Sequence, residues 1–537
     1  MIIPMVYIDN RADSAVTPSL AVLSDIQRRV LWLAVRMVHE ANRTDAGGIK
    51  FGGHQASSAS MISIMTSLWF DHIGKDDKVA VKPHASPVYH AIKYLTGELD
   101  RSYLTKLRAP GGLQAYPSRT KDPDGVDFST GSVGLGAVAP LFSAAARRYI
   151  DSHFGERNTA RFIATVGDAE LDEGNVWEAI ADPALAGLGN VMLVIDLNRQ
   201  SLDRIIPDIQ ATRLQRFFEN AGWHVIEAKY GRRLEEAFSG VGGDALRSRI
   251  DGMSNEEYQL LFSLEGDGLR SAFLRSADST VSRLLEDFSD EELPRLLFDL
   301  GGHDLEVLSD CYRECDEAAD RPSVVFAYTV KGWGLPFAGD ALNHSAVLTD
   351  AQIDDLRHSV GLNVETEWDR FDPESPAGRL CAVVGAEVNN GPTAPRPLLD
   401  LPSSVASLSP ARKWSTQEAF GRVLTALADV SSVRERLVTV SPDVAISTNL
   451  GGWINKTGVF SYRELEPFGG EQRLLKWAPG PTGQHIELGI SEMNMFLLLG
   501  QLGLTHEHHG EMLLPIGTVY DPFVLRGLDG FIYSLYN

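Results

Sequence analysis

Apolar runs alternate with amphipathic stretches along most of this chain. Residues 24–40, "SDIQRRVLWLAVRMVHE", carry apolar positions at helical spacing, with Ser24 placed as an N-cap, and so predict a helix. From there to about Leu335, short β-like runs recur between helical stretches: "KVAVKP", "ARFIATV", "NVMLVID", "HVIEAKY" and "SVVFAYTV". Near-continuous apolar strands separated by helices predict an α/β fold, a doubly wound parallel sheet covered on both faces. Between about Arg232 and Glu317 the chain turns helical and acidic, as an insertion or cap would. Asn389–Lys413 is rich in Pro, Ser and Ala and reads as a linker. A second α/β pattern follows: helix 415–428, strand "RLVTVSPD", helix 488–502 and strand "MLLPIGTV". The expected organisation is a first unit over 1–388 with an insertion at 232–317, a linker over 389–413, and a shorter unit over 414–537.

Composition narrows the classes. A chain of 537 residues is too long for one core. Its 44% apolar and 23% charged residues describe a globular protein rather than a disordered one. A formal net charge of −23 argues against nucleic acid as a partner, because that grip needs a clustered basic face. Anionic small molecules remain compatible where a metal or local cations offset the field. Cys311, Cys315 and Cys381 are too few to staple the chain and read as reduced thiols. The N-terminal stretch lacks a basic leader, and no apolar run approaches the ~20 residues needed to span a bilayer. The expected location is the cytoplasm, with no membrane partner.

The candidate chemistry lies at strand ends. In "FIATVGDAELDEGNVWEA" a buried-type strand ends in Gly167-Asp168-Ala169 and a helix follows. Thirty residues later "NVMLVIDLNRQSLD" places Asn198 just past another apolar strand. That spacing suits one βαβ unit, so both residues should reach one edge of the sheet, where open α/β folds bind ligands. A carboxylate, an amide oxygen and a backbone carbonyl make a hard-oxygen set suited to Mg2+ or Ca2+. Either residue alone is an ordinary capping Asp or turn Asn; the pair inside this pattern favours a site. Ala169 stands where a phosphate-cradling turn would favour a second glycine, a cost only if positive φ is required or its methyl crowds the ligand.

Gly-Asp-X, about thirty residues and then Asn resembles the fingerprint of thiamine-diphosphate enzymes. The chain resembles transketolase and, in its spacings, the homodimeric bacterial pyruvate dehydrogenase first component. The resemblance runs through "GGHQAS", "KPHASPVYHAIKYLTG", "STGSVGLGAV", "GGHD", "TVKGWG", "ALNHS" and "GQHIELGISEMNM" in order. It implies the thiamine-diphosphate-binding fold, with a diphosphate-binding domain over 1–388 and the start of a pyrimidine-binding domain over 414–537.

The resemblance also assigns roles. Thiamine diphosphate would lie on Gly167, Asp168, Ala169, Glu170, Asn198, Ser132, Gly134 and Leu135, with Mg2+ (or Ca2+) held by Asp168, Asn198 and the Gln200 carbonyl. His54, His84 and His344 would face the reacting end of the cofactor; histidine suits that post because its ordinary pKa lies near working pH. Glu492, at an apolar helix start, would be the acid that hydrogen-bonds the aminopyrimidine ring, since burial favours the protonated form of a carboxyl. Tyr520, in "PIGTVYDPF", would stack on that ring. "ARKWST" resembles a transketolase element, making Arg412 a candidate anchor for a substrate phosphate.

Family members continue beyond the point where this chain stops. The expectation is therefore a two-subunit enzyme, a heterotetramer of two such pairs. A second subunit would carry the rest of the pyrimidine-binding domain, a further C-terminal domain and a carrier or lipoyl-like domain. The expected reaction moves a two-carbon ketol or glycolyl unit from a ketose phosphate to a lipoyl or carrier-protein thiol, as in natural-product pathways. Two alternatives stay open: a pyruvate-decarboxylating component of a 2-oxoacid dehydrogenase complex, and a non-catalytic partner subunit.

Overall fold

The computed structural model describes residues 18–43, 52–131, 134–201, 204–205, 211–388, 398–404, 413–463 and 479–537, with only the backbone of 200, 201, 204 and 205. All five strand-like runs of the first unit form strands: β1 (Lys78–Ala80), β2 (Phe162–Gly167), β3 (Val191–Leu197), β4 (His224–Ala228) and β5 (Ser323–Tyr328). They make one parallel sheet in the order β1-β2-β3-β5-β4. Every residue of β2, β3 and β5 is buried, which explains why these strands read as continuous apolar runs.

Successive side chains on each strand enter different cores, as the two-residue strand period requires. Ile163, Met192, Val194 and Val325 pack with the N-terminal helix α1 (Leu20–Arg43). Phe162, Ala164, Val166, Leu193, Ile195 and Phe326 pack on the opposite face against α2 (Leu135–Phe154). Helix α1 starts four residues before Ser24, so Ser24 lies within it rather than capping it. It is buried nearly all round, which is why the helix carries so few polar residues on its middle turns. The helical stretch between β4 and β5 closes a separate cluster of Leu234, Leu246, Leu269, Phe273 and Leu293. Cys311 and Cys315 are buried in the helix Leu305–Glu317, and burial pushes both thiols up, Cys311 to about 12.

A second parallel sheet contains strands β6 (Leu437–Ser441), β7 (Val459–Phe460), β8 (Pro479–Gly480), β9 (His485–Glu487) and β10 (Leu514–Gly517), ordered β8-β7-β9-β6-β10. Ser415 caps the helix Thr416–Leu427 that precedes it, with its hydroxyl accepting from Glu418 N. Helix α3 (Glu492–Gly503) packs on α2, so Val438, Val440, Leu497 and Leu502 share the core that covers β2 and β3. No helix among the described residues is long and apolar enough to cross a membrane.

The loop between the helix Ser86–Leu95 and α2 is held by a buried triad. His90 Nδ1 lies 2.7 Å from Asp124 Oδ2, and its Nε2 lies 3.9 Å from Asp122 Oδ1. Asp122 in turn accepts from the backbone N–H groups of Gln114 and Ser118, both at 2.7 Å. Burial pulls His90 down, but Asp124, its hydrogen bond and Asp122 together raise it above the ordinary histidine value. A raised folded-state value stabilises the fold below the unfolded value, and this stabilisation is lost as pH rises through the folded one. Wild type should therefore exceed His90→Gln in stability by on the order of 2 kcal/mol near pH 5–6, with the gap closing at alkaline pH. Denaturant titrations across pH check this; a pH-independent gap would show that the imidazole is held neutral.

Candidate active site

The register of β2 and β3 pairs Gly167 with Asp196, so the turns after both strands leave the same edge of the sheet. There Asp168 Oδ2 accepts from the backbone N–H of Arg199 at 3.0 Å, and Oδ1 accepts from Ala169 N at 2.9 Å. Arg199 reaches this position with φ +61°, unusual for a residue with a Cβ. The Asp168–Asn198 neighbourhood expected from the thirty-residue spacing is present. A short 3₁₀ turn, Asp168–Asp172, precedes the helix Gly174–Ile180.

Burial pushes the Asp168 carboxyl up to about 6; the charge of Asp196 adds to this, while Lys82 and the two N–H donors oppose it. Burial also pushes Glu170 up to about 7, although Gly167 N donates to its Oε2 at 2.7 Å. The strand edge thus concentrates carboxylates that are under-compensated by the protein itself. That is the chemistry of a cation site: a hard divalent ion would relieve the charge that burial penalises.

Beneath this pair lies a group that the motifs alone do not announce. Asp196 is fully buried and its carboxylate gathers four donors from four parts of the chain. Lys82 Nζ lies 2.5 Å from Oδ2, Ser60 Oγ 2.6 Å and Asn198 Nδ2 3.3 Å from the same oxygen, and Thr329 Oγ1 donates to Oδ1. Despite burial, Asp196 holds Lys82 above the ordinary lysine value, and Lys82 holds Asp196 below the ordinary carboxylate value. Both shifts point the same way: this is an ion pair. Gly167 is a glycine because Lys82 passes beside it; a Cβ there would lie 3.0 Å from Lys82 Cε, although the Gly167 φ of −77° is open to any residue.

The three histidines expected to act together do converge. Ring centroids of His54 and His344 are 4.2 Å apart and stacked, His54 and His84 4.9 Å, and His84 and His344 5.9 Å. His54 Nδ1 lies 2.8 Å from the His344 carbonyl oxygen; a carbonyl only accepts, so Nδ1 carries the proton. The expectation of an imidazole poised near working pH fails for His84. Burial first, then the charges of Lys82 and the neighbouring histidines, push it down to about 3, so it is a neutral ring. Tyr116, which the motifs did not single out, stands 5.9 Å from His84. His303 of "GGHD" accepts from Val330 N at 2.8 Å, lies over Trp333 and is pushed by burial to about 3, a structural arrangement.

The remaining assignments divide. Gly134 has φ +71° and precedes α2, whose first residue is Leu135; a Cβ on Gly134 would come within 2.6 Å of Val176. Ala169 does not need positive φ: among the described non-glycine residues only Arg108, Arg199 and Asn449 have it. Ser132, Arg412 and the Gln200 side chain lie outside the described residues; the Gln200 backbone pairs with Ile205 in a small antiparallel hairpin. Glu492 is 3% exposed at the start of α3, but its setting is not purely apolar, because Arg526 Nη1 lies 3.2 Å from Oε2 and Glu178 is a charged neighbour. Tyr520 hydrogen-bonds Ser447 through its hydroxyl and is partly exposed. Asp168, Asn198, Lys82 and the histidines thus form one group, and Glu492 with Arg526 and Glu178 a second.

With this geometry in hand, comparison with known proteins is informative. Residues 35–241 match the family described as transketolase, thiamine diphosphate binding domain. The pyruvate dehydrogenase E1 component of Corynebacterium glutamicum is 28% identical over 93% of this chain, and that of Escherichia coli K12 is 27% identical over 87%. The chain spans only 57% and 56% of those two relatives. Among solved structures, transketolase from Leishmania mexicana shares the fold with a TM-score of 0.63 at 17% identity, covering 95% of this chain and 66% of that one. The chain is thus similar to the thiamine-diphosphate-dependent transketolase and pyruvate dehydrogenase E1 family, with the thiamine diphosphate binding domain matched at residues 35–241.

Proposed function

We propose that this chain is the cofactor-binding subunit of a two-subunit enzyme that depends on thiamine diphosphate and Mg2+ and transfers a two-carbon ketol or glycolyl unit. The donor is a ketose phosphate and the acceptor a lipoyl or carrier-protein thiol. The observation that carries the reading is the buried Asp168–Asn198 strand-end pair lying next to Lys82 and the His54–His84–His344 cluster in a thiamine-diphosphate-binding domain. Thiamine diphosphate, when bound, supplies the carbanion-stabilising chemistry that breaks a carbon–carbon bond beside a carbonyl. Asp168, Asn198 and the Gln200 carbonyl would hold the cation, and Gly134 and Leu135 would present helix-start amides to the diphosphate. His84, neutral in this setting, would orient a donor oxygen by hydrogen bonding, while His54 keeps its proton on Nδ1. Glu492 and Tyr520 would serve the pyrimidine end, and Arg412 the phosphate of the donor.

A second subunit is supported by the surface around Glu492. Ile490, Leu525, Phe531 and Leu535 are 67%, 74%, 46% and 71% exposed, an apolar set that another chain would cover. The second reading, pyruvate decarboxylation within a 2-oxoacid dehydrogenase complex, is favoured by the names of the relatives at 27–28% identity. A non-catalytic subunit is the weakest reading, because it leaves the acidic strand-end site without a purpose.

Four outcomes are expected. With the partner subunit present, two-carbon transfer from xylulose 5-phosphate should exceed turnover of pyruvate; steady CO2 release from pyruvate alone would select the dehydrogenase reading. Asp168→Asn should abolish Mg2+-dependent thiamine diphosphate binding in calorimetry and yet stabilise the cofactor-free protein. The sign follows from the raised carboxyl: a folded-state value of about 6 penalises folding above that pH and not below the unfolded value. The gain at pH 7.5 should be on the order of 1–3 kcal/mol, absent near pH 3.5. Finally, Ala169→Gly should leave cofactor affinity unchanged or tighten it slightly, since no left-handed backbone is relieved. Gly167→Ala should weaken affinity about tenfold or more by pressing on Lys82.

A further inference from the structure

Asp196 and Lys82 lie one layer beneath the strand edge, where their side chains cannot be reached by a substrate: Asp196 is fully buried and Lys82 nearly so. Burying an ion pair seldom adds net stability, because desolvation of both charges offsets their attraction. Beyond aligning the strand ends, the pair therefore has room for a second role. Its contacts show one. Asp196 Oδ2 accepts from Asn198 Nδ2, and the same oxygen is fixed by Lys82 Nζ and Ser60 Oγ while Thr329 pins the other. An amide whose nitrogen is bound to a carboxylate has its oxygen on the opposite side, and it is the oxygen that a hard cation takes.

We infer that the Lys82–Asp196 ion pair is the positioning device of the cation clamp: it fixes the Asn198 carboxamide with nitrogen inward and oxygen outward, toward a divalent cation. The inference rests on the proposed thiamine diphosphate and Mg2+ site. A neutral acceptor in place of Asp196 would leave the amide able to flip at little cost. The charged acceptor makes the flipped form unfavourable, because Asn198 would then set its oxygen against a buried carboxylate. Lys82 Nζ, 2.5 Å from Oδ2, holds that carboxylate stationary, and it lends positive charge beside Asp168 and Glu170. Lys82 and Asp196 are thus positioning residues, acting through Asn198.

Two double variants separate this role from simple packing. Lys82→Met/Asp196→Leu replaces the pair by apolar groups of similar size, which a fold tolerates better than one orphaned charge. Lys82→Gln/Asp196→Asn also removes both charges but keeps an acceptor for Asn198 Nδ2. Calorimetry of the full chain with Mg2+ and thiamine diphosphate should show affinity ~10–100-fold lower in the first. In the second it should be lower by about threefold, the smaller effect expected when the hydrogen bond to Asn198 survives. Both should retain one cooperative thermal transition. Equal affinities in the two variants would overturn the inference. Thr329→Val is a milder check that does not disturb the charges: freeing Asp196 Oδ1 should weaken cofactor binding severalfold with folding intact, and unchanged binding there also overturns it. If wild-type protein binds no thiamine diphosphate, the functional reading falls and this inference with it; normal wild-type binding with indifferent variants sinks the inference alone.

Discussion

Four segments that are far apart in sequence meet at one buried carboxylate. Asp196 is the penultimate residue of β3, Lys82 follows β1, Thr329 follows β5, and Ser60 belongs to the helical segment after His54. Parallel strands carry no hairpins to hold their ends in register, so the ladder fixes their middles and leaves the carboxyl edge to side chains. The Asp196 carboxylate supplies that closure. An unpaired ion there would cost several kcal/mol; with Lys82 and three further donors the cost becomes a constraint. Each partner must arrive with the correct strand ending, or a charge is left buried and alone.

That constraint explains the shape of the site above it. Lys82 occupies the space beside Gly167, which is why that position is a glycine despite its ordinary backbone angles. Two residues on from Lys82, His84 meets His54 and His344, and the lysine's charge is among the influences that keep His84 neutral. One cation thus acts by its charge on both halves of the candidate site. It does not neutralise them: Asp168 and Glu170 remain carboxyls raised by burial. A protein with a net charge of −23 can present an anionic ligand with a favourable surface where a metal ion or local cations offset its field.

Much of this was legible in the sequence, and the reasons are specific. Strands β2 and β3 are buried on both faces, so "FIATV" and "VMLVI" had to be unbroken apolar runs. The thirty residues from Asp168 to Asn198 had to be one crossover, because adjacent parallel strands allow little else. The start of α1 was misread because Ser24 is a fair capping residue by type, and a buried helix offers weak polar signals at its ends. The histidine protonation state was out of reach for another reason: His84 depends on burial and on a lysine whose position only the fold reveals. Lys82 and Asp196 carried a signal that could have been used. Each is a charged residue at the end of an apolar strand, and charges of opposite sign on the same edge of a sheet, here β1 and β3 flanking β2, seek one another.

The two groups of site residues set a further requirement. Asp168, Asn198 and the histidines are organised by the first sheet, whereas Glu492 sits on α3, with Arg526 and Glu178 as its charged neighbours. Helix α3 cannot swing freely to join them, since Met495, Leu498 and Leu502 are buried in the core that also covers β2 and β3. Motion within one chain would have to break that shared core, at about 1.5–3 kcal/mol for each large apolar side chain exposed. On the proposed two-subunit reading, another chain would complete each group and leave the core intact. It would also cover Ile490, Leu525 and Leu535, whose exposure is hard to reconcile with a surface meant for water. On that reading, the packing that makes the first group rigid is the reason the site would be finished by association rather than by closure.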